Sequence, residues 1–567
     1  MKLRSQLLVT LFLALPVVGC GLVFGLGDYR IDDGVVGDGG RDGGGEAEAA
    51  PPQCTTNAEC TARATAEGPV DAGAGFDGGP VGVQDGGTAP AVCVKPEGVC
   101  VRLLTRDCPT VLGDYANDDS ILLATLFTLS GATTSTNTAR QQSALLAAEE
   151  INSSLGGSGI PPAKGSNASR PLVVLSCDES QDLVRVGTHL VKELHVAGVV
   201  GPNTSQDTLD ITTKLVSTGR TLVMSPTAVA AGIAGLADNN LTWRNLPSDT
   251  PRGKLMITQI NALENGLHAG DLPGQPTPAV KRLGNLKLGI VYRDDAQGQS
   301  NFGAISGELM WNNAGLASAA NVPFVKISRY NPATAVADTA VIVADFVTAK
   351  PDVIAVFGTA ESVTGFLVPY EKALEAAAPG GTVKPYYMLI DSNKTKELLD
   401  GTVAAGVPAS LRVRLRGVGV TSAPTAIPVL NAFNSAYTAR YGTDPRVSGM
   451  GQSYDAMYAL ALALAATTEE RPSGLSIAKG LTRLGSGPNV LIGQGNVRTA
   501  FQQFAMGSSI TATGTFSDFT WDMNGDLAGG IVEMWCVSGG APNFYASSGL
   551  TMEVATLAQT GTYTACP

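Results

Sequence analysis

Residues 172–200, LVVLSCDESQDLVRVGTHLVKELHVAGVV, decide the fold because they contain a complete strand–helix–strand pattern. The apolar runs Leu172–Cys177 and Val196–Val200 have the length and β-branched composition of buried strands. Between the two runs, five apolar residues share one face of a helix: Leu183, Val186, Leu190, Val191 and Leu194. This alternation predicts βαβ units, and therefore a parallel sheet that helices cover on both faces.

The same alternation continues over roughly 450 residues. Further strand-like runs are Ile121–Thr128, Thr221–Ser225, Lys287–Tyr292, Val353–Phe357 and Tyr386–Ile390. One hydrophobic core rarely serves a segment of this length, so the fold class we predict is α/β with two doubly wound parallel-sheet lobes joined by a hinge. We assign residues 116–248 and about 385–505 to lobe 1, and residues 249–384 and about 506–567 to lobe 2.

The first twenty residues have the pattern of an export signal. The basic start Met1–Arg4 precedes the apolar stretch Leu7–Val18, which is too short to span a bilayer comfortably and has the length of a signal-peptide core. The stretch ends in Val17-Val-Gly-Cys20, which resembles the lipobox of bacterial lipoproteins, although Leu is usual where Val17 stands. We predict a signal peptide over residues 1–19 and a lipid on Cys20; an ordinary signal peptide before an unmodified cysteine is the alternative.

A linker and a Cys-rich segment follow. Residues 20–52 are rich in Gly and Asp and poor in apolar side chains, which predicts a flexible tether. Residues 53–115 contain five cysteines, and three more follow, which gives the even number that disulfides need in an exported protein. Zinc is the alternative, but CxxC pairs and nearby histidines are lacking. We expect Cys536 to pair with Cys566. The eight cysteines are Cys54, Cys60, Cys93, Cys100, Cys108, Cys177, Cys536 and Cys566.

Charge and motifs argue against several functions. The formal net charge of −12 leaves no means to neutralise a run of phosphates, so we expect no nucleic-acid partner. The sequence has no phosphate-binding Walker loop and no Gly-x-Ser-x-Gly elbow, and His189 and His195 would point about 240° apart on a helix. Asn524-Gly525 favours a turn over a calcium loop. We therefore expect no enzymatic activity, no metal and no cofactor.

The loops that follow the strands are rich in small and hydroxyl residues. Ligands of parallel sheets bind at the carboxyl ends of the strands, where helix N-termini offer free N–H groups that suit a carboxylate. The alternative is that these Ser, Thr and Asp residues only cap helices. The loops are Leu129–Asn137, Gly201–Thr208, Pro226–Ala231, Asp294–Asn301, Gly358–Ser362 and Asp391–Lys394.

From about Ser120 to Val537 the sequence resembles the type I periplasmic solute-binding proteins, and among them the branched-chain amino-acid-binding family of ABC importers. The order and spacing of nine short motifs carry the resemblance. They are Leu129-Ser-Gly131, Ala148-Glu-Glu-Ile-Asn152, Val199-Val-Gly-Pro-Asn-Thr-Ser205, Met224-Ser-Pro-Thr227, Trp243-Arg-Asn-Leu-Pro-Ser-Asp249, Gly289-Ile-Val-Tyr-Arg-Asp-Asp295, Tyr454-Asp-Ala456, Gly514-Thr-Phe516 and Trp521-Asp-Met-Asn-Gly-Asp526.

The resemblance implies a ligand site between the lobes. Its carboxylate-binding loops fall on Ser205, Thr227 and Val229, and its ammonium-binding acid falls on Asp391. The remaining wall falls on four residues, which are Thr136, Gln297, Ala360 and Tyr454. The sequence departs from the family at three positions: a hydroxyl is usual where Val229 stands, an aromatic residue is common where Ala360 stands, and the usual disulfide partner of Cys177 is absent. Cys177 then either pairs elsewhere, with Cys108, or remains free.

These features together predict a lipid-anchored solute-binding protein of the bacterial cell envelope, facing the periplasm or the cell surface. It would capture a small amino-acid-like ligand for ABC-type uptake or for sensing. Its partners would be an ABC permease or a membrane receptor, and the membrane itself through the lipid on Cys20. The alternative is a surface interaction lipoprotein that keeps the fold without a small-molecule ligand.

Overall fold

The computed structural model describes residues 53–68, 87–218, 220–272, 274–275, 279–381, 383–443, 447–540 and 542–567. The predicted signal peptide, Cys20 and the linker lie outside the described residues.

The strands are β1 Ala91–Val94, β2 Val99–Arg102, β3 Thr110–Leu112, β4 Ile121–Phe127, β5 Leu172–Asp178, β6 Gly198–Val200, β7 Leu222–Ser225, β8 Thr242–Arg244, β9 Leu288–Arg293, β10 Met310–Trp311, β11 Ala314–Gly315, β12 Val325–Tyr330, β13 Val353–Phe357, β14 Tyr386–Ile390, β15 Leu415–Thr421, β16 Asn489–Leu491, β17 Thr511–Thr513, β18 Ile531–Ser538, β19 Phe544–Glu553 and β20 Gln559–Thr560.

The α-helices are α1 Asn57–Glu67, α2 Thr134–Asn152, α3 Leu183–Thr188, α4 Ser205–Lys214, α5 Asp249–Ala269, α6 Ala296–Ser306, α7 Ala335–Ala349, α8 Ala360–Ser362, α9 Val368–Ala377, α10 Lys396–Thr402, α11 Leu411–Arg414, α12 Ile427–Tyr441, α13 Met450–Thr467, α14 Gly474–Leu481 and α15 Val497–Ala505.

The Cys-rich segment is a small unit of one helix and one hairpin. Thr56 and Glu59 form a capping box that starts α1, and β1 pairs antiparallel with β2. Two disulfides, Cys54–Cys93 and Cys60–Cys100, join the helical part to the hairpin. The sulfur atoms of Cys54, Cys60 and Cys100 lie within 4.8 Å of one another, but each is oxidised in a disulfide and none is a thiolate that could bind zinc. The prediction of disulfides is confirmed.

Lobe 1 is built on a six-stranded sheet in the order β3-β5-β4-β6-β7-β8. Its strands are parallel except β3, which pairs antiparallel with β5 at the edge. Apolar runs without alternation form these strands because helices cover both faces of the sheet. The most deeply buried helix is α13, in which every residue from Ser453 to Ala466 is buried. The disulfide Cys108–Cys177 ties the segment before β3 to β5, which settles the partner of Cys177.

Lobe 2 is built on an eight-stranded sheet in the order β12-β9-β13-β14-β15-β18-β19-β20. The strands from β12 to β15 are parallel, and β18, β19 and β20 continue the sheet in antiparallel fashion. The predicted disulfide Cys536–Cys566 is confirmed and ties the last strands together. Two doubly wound α/β lobes were predicted from the sequence, and both are present.

The predicted boundaries of the lobes need two corrections. We assigned residues from about 385 onward to lobe 1, but β14 and β15 pair parallel with lobe 2 strands, and the chain returns to lobe 1 only at α12. Residues 510–519 likewise belong to the lobe 1 core. The chain therefore crosses between the lobes three times, near residues 245–248, 422–426 and 514–530. Strand periodicity does not reveal which sheet a strand joins, and this caused the error.

Helix α7 covers one face of the lobe 2 sheet and is unusually apolar on both sides. Ala335, Ile342 and Phe346 are buried against the sheet, whereas Val336 and Val341 are exposed. By length and composition, the segment Pro332–Ala349 is the one helix of the described residues that could cross a membrane, and 22% of it is buried. Its buried side chains give it the role of a covering helix of the lobe in this fold.

Candidate functional site

The loop after β7 is the part of lobe 1 to which the carboxylate-binding role was assigned. Ser205, the first residue of α4, is buried, and its Oγ accepts hydrogen bonds from the N–H groups of Val229 and Ala230, each at 3.1 Å. The side chain of Val229 packs with Leu246, Phe516 and Leu527 beside the third crossover. These two backbone donors are therefore already bound to Ser205, and the side chain of Val229 belongs to an apolar cluster.

Thr227 belongs to a second network on the same face of lobe 1. Its Oγ1 lies 2.6 Å from both the carbonyl oxygen and Oδ1 of Asn203. Asn203 donates in turn to Oδ1 of Asn137 on α2 at 3.1 Å. Thr136, the neighbour of Asn137, is half-buried at the first turn of α2. The structure thus brings Thr136, Thr227 and Ser205 to one face of lobe 1.

Arg140 lies in the same network and was missed by the sequence analysis. Its Nε donates to the carbonyl oxygen of Ser448 at 2.7 Å, and its Nη1 donates to Oδ1 of Asn137 at 2.9 Å. Burial lowers the pKa of Arg140 to about 10, and the charge of Asp391 in lobe 2 acts in the opposite direction. Arg140 is therefore a charged group at neutral pH, held by lobe 1 and sensing a carboxylate of lobe 2.

The lobe 2 residues predicted for the site come from three neighbouring strand ends. Gln297 on α6 donates to the hydroxyl of Ser392 at 2.9 Å, and Ser392 donates to the carbonyl oxygen of Gly358 at 2.9 Å. Ala360 follows Gly358 closely and starts the short helix α8, while Asp391 precedes Ser392. One chain of hydrogen bonds therefore brings Gln297, Ala360 and Asp391 to one edge of the sheet.

Ion pairs hold the charged groups beside this edge. Arg293 contacts Asp295 at 2.6 Å and Glu361 at 3.2 Å, and Tyr330 donates its hydroxyl to Glu361 at 2.9 Å. Burial raises the pKa of Glu361, but Arg293 and Thr359 more than offset this effect and leave the pKa below its usual value. Lobe 2 thus neutralises Arg293 with carboxylates of its own.

Asp391 is also paired within lobe 2. Its Oδ1 lies 3.1 Å from Nζ of Lys394, and Nζ lies 3.3 Å from Oε1 of Glu533 on β18. Burial lowers the pKa of Lys394, but the two carboxylates raise it further than burial lowers it, so the lysine is charged. The ammonium group of Lys394 thus already occupies a position beside the acid to which an ammonium-binding role was assigned.

Tyr454 is the predicted wall residue that the structure places elsewhere. It is 2% exposed, lies in the core of lobe 1 on α13, and packs against Phe433. Its hydroxyl donates to Oε2 of Glu150 at 2.6 Å, and Tyr458 donates to the same oxygen. We therefore remove Tyr454 from the candidate ligand contacts, because its ring and its hydroxyl both serve the packing of α13 on α2.

The two faces touch at one side of the cleft. The N–H of Ala231 in lobe 1 donates to Oγ of Ser300 on α6 at 2.9 Å, and Ala296 packs against the apolar cluster of Ala228, Ala230 and Ile233. Burial raises the pKa of Asp207 on α4, and the charge of Asp295 in lobe 2 adds to the rise. The carboxyl ends of both sheets therefore face each other, with like charges as well as hydrogen bonds between them.

Two parallel-sheet lobes, three crossovers and facing strand ends define the class of bilobal solute-binding proteins. Residues 120–512 match the family described as periplasmic binding protein, and the chain belongs to that family. The resemblance inferred from the motifs is thus confirmed, and with it an extracytoplasmic location and a family of binding proteins rather than enzymes. No curated protein matches the sequence.

Solved structures agree on the fold. The branched-chain amino acid transporter substrate-binding protein of Streptococcus pneumoniae, in complex with isoleucine, matches with a TM-score of 0.51 at 15% identity, over 76% of this chain and 99% of its own. A leucine-binding protein of Thermotoga maritima matches with 0.51 at 15% identity, over 75% and 97%. A fatty acid ABC transporter substrate-binding protein of Thermomonospora curvata matches with 0.50 at 15% identity, over 76% and 92%. Identities this low establish the shared fold and leave the ligand open.

Proposed function

We propose that this protein captures a small carboxylate-bearing solute, an amino acid or a related amide or carboxylate, between its two lobes. The observation that carries the proposal is the meeting of both sets of strand ends, where Ala231 of lobe 1 hydrogen-bonds Ser300 of lobe 2. Ligands of open parallel sheets bind at such strand ends. The similar structures support this range of ligands, since one is a complex with isoleucine and another is the substrate-binding protein of a fatty acid ABC transporter.

Seven of the predicted residues remain in the proposed site. Lobe 1 contributes Thr136, Ser205, Thr227 and Val229, and lobe 2 contributes Gln297, Ala360 and Asp391. Because Ser205 already binds the N–H groups of Val229 and Ala230, we assign it to shaping the loop rather than to direct contact. Small side chains at Ala360 and Val229 leave the pocket wall without an aromatic ring or a second hydroxyl.

A thermal-shift panel on the full-length protein tests this function. The panel contains the standard amino acids, their amides, the matching carboxylates without an amino group, and short peptides. A ligand at 100 times its dissociation constant adds about 2.7 kcal/mol to the free energy of unfolding, which raises the Tm of a chain this long by about 2–3 °C. A melting curve unmoved by every member of the panel would contradict the proposal.

We further propose that the protein is anchored by a lipid on Cys20 and delivers its ligand to an ABC permease or a membrane receptor. The Val17-Val-Gly-Cys20 pattern and the membership of the family support these roles. Incorporation of labelled palmitate by the wild type, and its loss in Cys20→Ser, would test the anchor. Equal labelling of both proteins would contradict it.

A second candidate function is a surface interaction lipoprotein that keeps the fold without a solute. The exposed apolar side of α7 favours it, because Val336 is 85% and Val341 66% exposed there. The two functions respond differently to substitution at the cleft. Asp391→Asn should change the binding of a solute but leave binding of a partner protein through α7 intact.

A further inference from the structure

Arg140 differs from the other cations at the strand ends. Arg244 is paired with Asp526, Arg293 with Asp295 and Glu361, and Lys394 with Asp391 and Glu533. Within the part of the chain that the structure describes, Arg140 has no carboxylate within 4.0 Å. Asp391 acts on Arg140 only from beyond ion-pair distance, and a partly desolvated cation without a direct counter-charge is favoured when an anion joins it, which makes Arg140 a candidate for binding.

The guanidinium group of Arg140 is held in place by lobe 1. Nε and Nη1 donate to Ser448 and Asn137, and among the described residues Nη2 makes no hydrogen bond. A methyl group on Gly449 would lie 2.6 Å from both Nε of Arg140 and Cγ2 of Thr227, so these two side chains converge on the glycine. The two fixed donors orient the planar group and leave the N–H groups of Nη2 able to donate to an oxygen of a carboxylate.

Three backbone donors of the loop after β7 are engaged. The N–H groups of Val229 and Ala230 donate to Ser205, and the N–H of Ala231 donates to Ser300. The hydroxyl of Thr227 lies against Asn203. A carboxylate that bound the N–H groups of residues 229–231 would have to displace these hydrogen bonds, whereas it could accept from Nη2 of Arg140 without breaking any.

We propose that Arg140 is the residue of lobe 1 that receives the carboxylate of the ligand, in place of the loop that follows β7. This inference rests on the proposed function and specifies its ligand class as anions with a carboxylate. Asp391, already beside Lys394, then favours an amino group on the ligand without requiring it. Arg140 is a specificity-determining residue in this arrangement, and its neighbours Asn137 and Ser448 are positioning residues.

The test compares ligand sets with matched variants of the full-length protein. Each amino acid that binds in the thermal-shift panel is titrated beside its deaminated carboxylate and its decarboxylated amine. Removal of charge-assisted hydrogen bonds should weaken binding of both carboxylate-bearing members roughly 10- to 100-fold in Arg140→Gln, and less in Arg140→Lys, which keeps the charge. Arg440→Gln, at an exposed ion pair with Glu149, is the matched control and should bind as the wild type does.

The outcomes separate this inference from the proposed function. If the wild type binds a carboxylate-bearing ligand and Arg140→Gln binds it equally well, the inference fails and the proposed function stands. Binding of the amine alone by the wild type would also overturn it. If the wild type binds no member of the panel, the proposed function itself fails. A variant that only misfolds would lose its cooperative melting transition. In that case Arg140→Lys, which can still donate to Ser448, is used instead: weaker binding than the wild type supports the inference, and equal binding overturns it.

Discussion

The two faces of the cleft hold their polar groups in different ways. On lobe 1, hydroxyl and backbone groups are bound to one another, as Ser205 is to the loop after β7 and Thr227 is to Asn203. On lobe 2, ion pairs dominate, with Arg293 between two carboxylates and Lys394 between two others. A neutral face can hold a desolvated ligand without any movement of counter-charges. On a charged face, the electric field at the ligand is the sum of the contributions of every group in the network.

This contrast makes Arg140 and Asp391 stand out. Arg140 is a cation on the neutral face, and Asp391 is the acid of the charged face whose charge reaches it. Opposite charges on opposing lobes favour closure of the cleft. A ligand with a carboxylate between Arg140 and Asp391 would change the electrostatic free energy of closure. Substitutions in the two networks measure whether the faces differ in energy as they do in chemistry.

The largest expected effect comes from an ion pair that stands behind the neutral face. Arg244 is fully buried, contacts Asp526 through two hydrogen bonds of 2.5 and 2.8 Å, and donates to the carbonyl oxygen of Ala230. Asp526→Asn should lower the free energy of unfolding by about 3–5 kcal/mol, because it leaves a buried charge without its partner. Urea unfolding measures this loss.

The control for this prediction is Asp210→Asn, which breaks the surface pair with Lys214 and should change the free energy of unfolding by less than about 1 kcal/mol. Equal effects of the two substitutions would mean that the neutral loop does not depend on the ion pair behind it. Lobe 1 would then owe its stability at this loop to hydroxyl and backbone hydrogen bonds alone, and its difference from the ion-paired face of lobe 2 would be larger.

The next effect concerns Asp455, which joins lobe 1 to the third crossover. Its carboxylate accepts hydrogen bonds from the N–H and the hydroxyl of Thr515, and burial raises its pKa from 3.8 to about 7. Between these two values the folded protein holds a proton that the unfolded chain has lost, so the free energy of unfolding should fall as the pH rises, by up to about 1.4 kcal/mol per pH unit.

Asp455→Asn should remove this slope. Urea unfolding of both proteins at several pH values between about 4 and 7 gives the comparison, and the difference between the two curves isolates the single carboxyl group. Parallel curves would show that Asp455 titrates near its ordinary value, and would place the pH dependence of the hinge elsewhere.

Much of the fold was predictable from the sequence, because apolar runs and helical spacing are local signals. The runs at Leu172–Cys177 and Val353–Phe357 became β5 and β13, and Asn524-Gly525 became a turn in which Gly525 has a φ of +75°. The sheet to which β14 belongs was not predictable in the same way. Pairing of strands from distant segments is a tertiary choice, and residue periodicity carries no information about it.

The site was predictable only in part, for a related reason. Strand ends located the loops, and the family resemblance picked Thr136, Thr227, Gln297 and Asp391 within or beside them, but neither says which donors remain free after folding. Tyr454 was misplaced because the direction of a side chain on a buried helix depends on its packing partners. Arg140 carried a usable signal, since it lies four residues after Thr136 and therefore on the same side of α2.

A smaller effect is expected from the charged face. Lys394→Met leaves Asp391 and Glu533 without their shared cation and should lower the free energy of unfolding by about 2 kcal/mol near pH 8. Lys396→Met, at an exposed pair with Asp400, is the control and should have little effect. A deficit no larger than that of Lys396→Met would show that the ammonium group of Lys394 does not stabilise the charged face.

The smallest effect tests the contact between the two faces. Ser300→Ala removes the acceptor of the Ala231 N–H, a neutral hydrogen bond worth about 1 kcal/mol, and should shift the equilibrium toward open forms about fivefold. Small-angle X-ray scattering should show a larger radius of gyration for this variant without ligand, while Ser306→Ala on the same helix should leave it unchanged. Because a saturating ligand adds its own contacts across the cleft, the two scattering curves should converge when it is present. A radius unchanged in Ser300→Ala would mean that the apolar contact of Ala296 with lobe 1 suffices to hold the faces together.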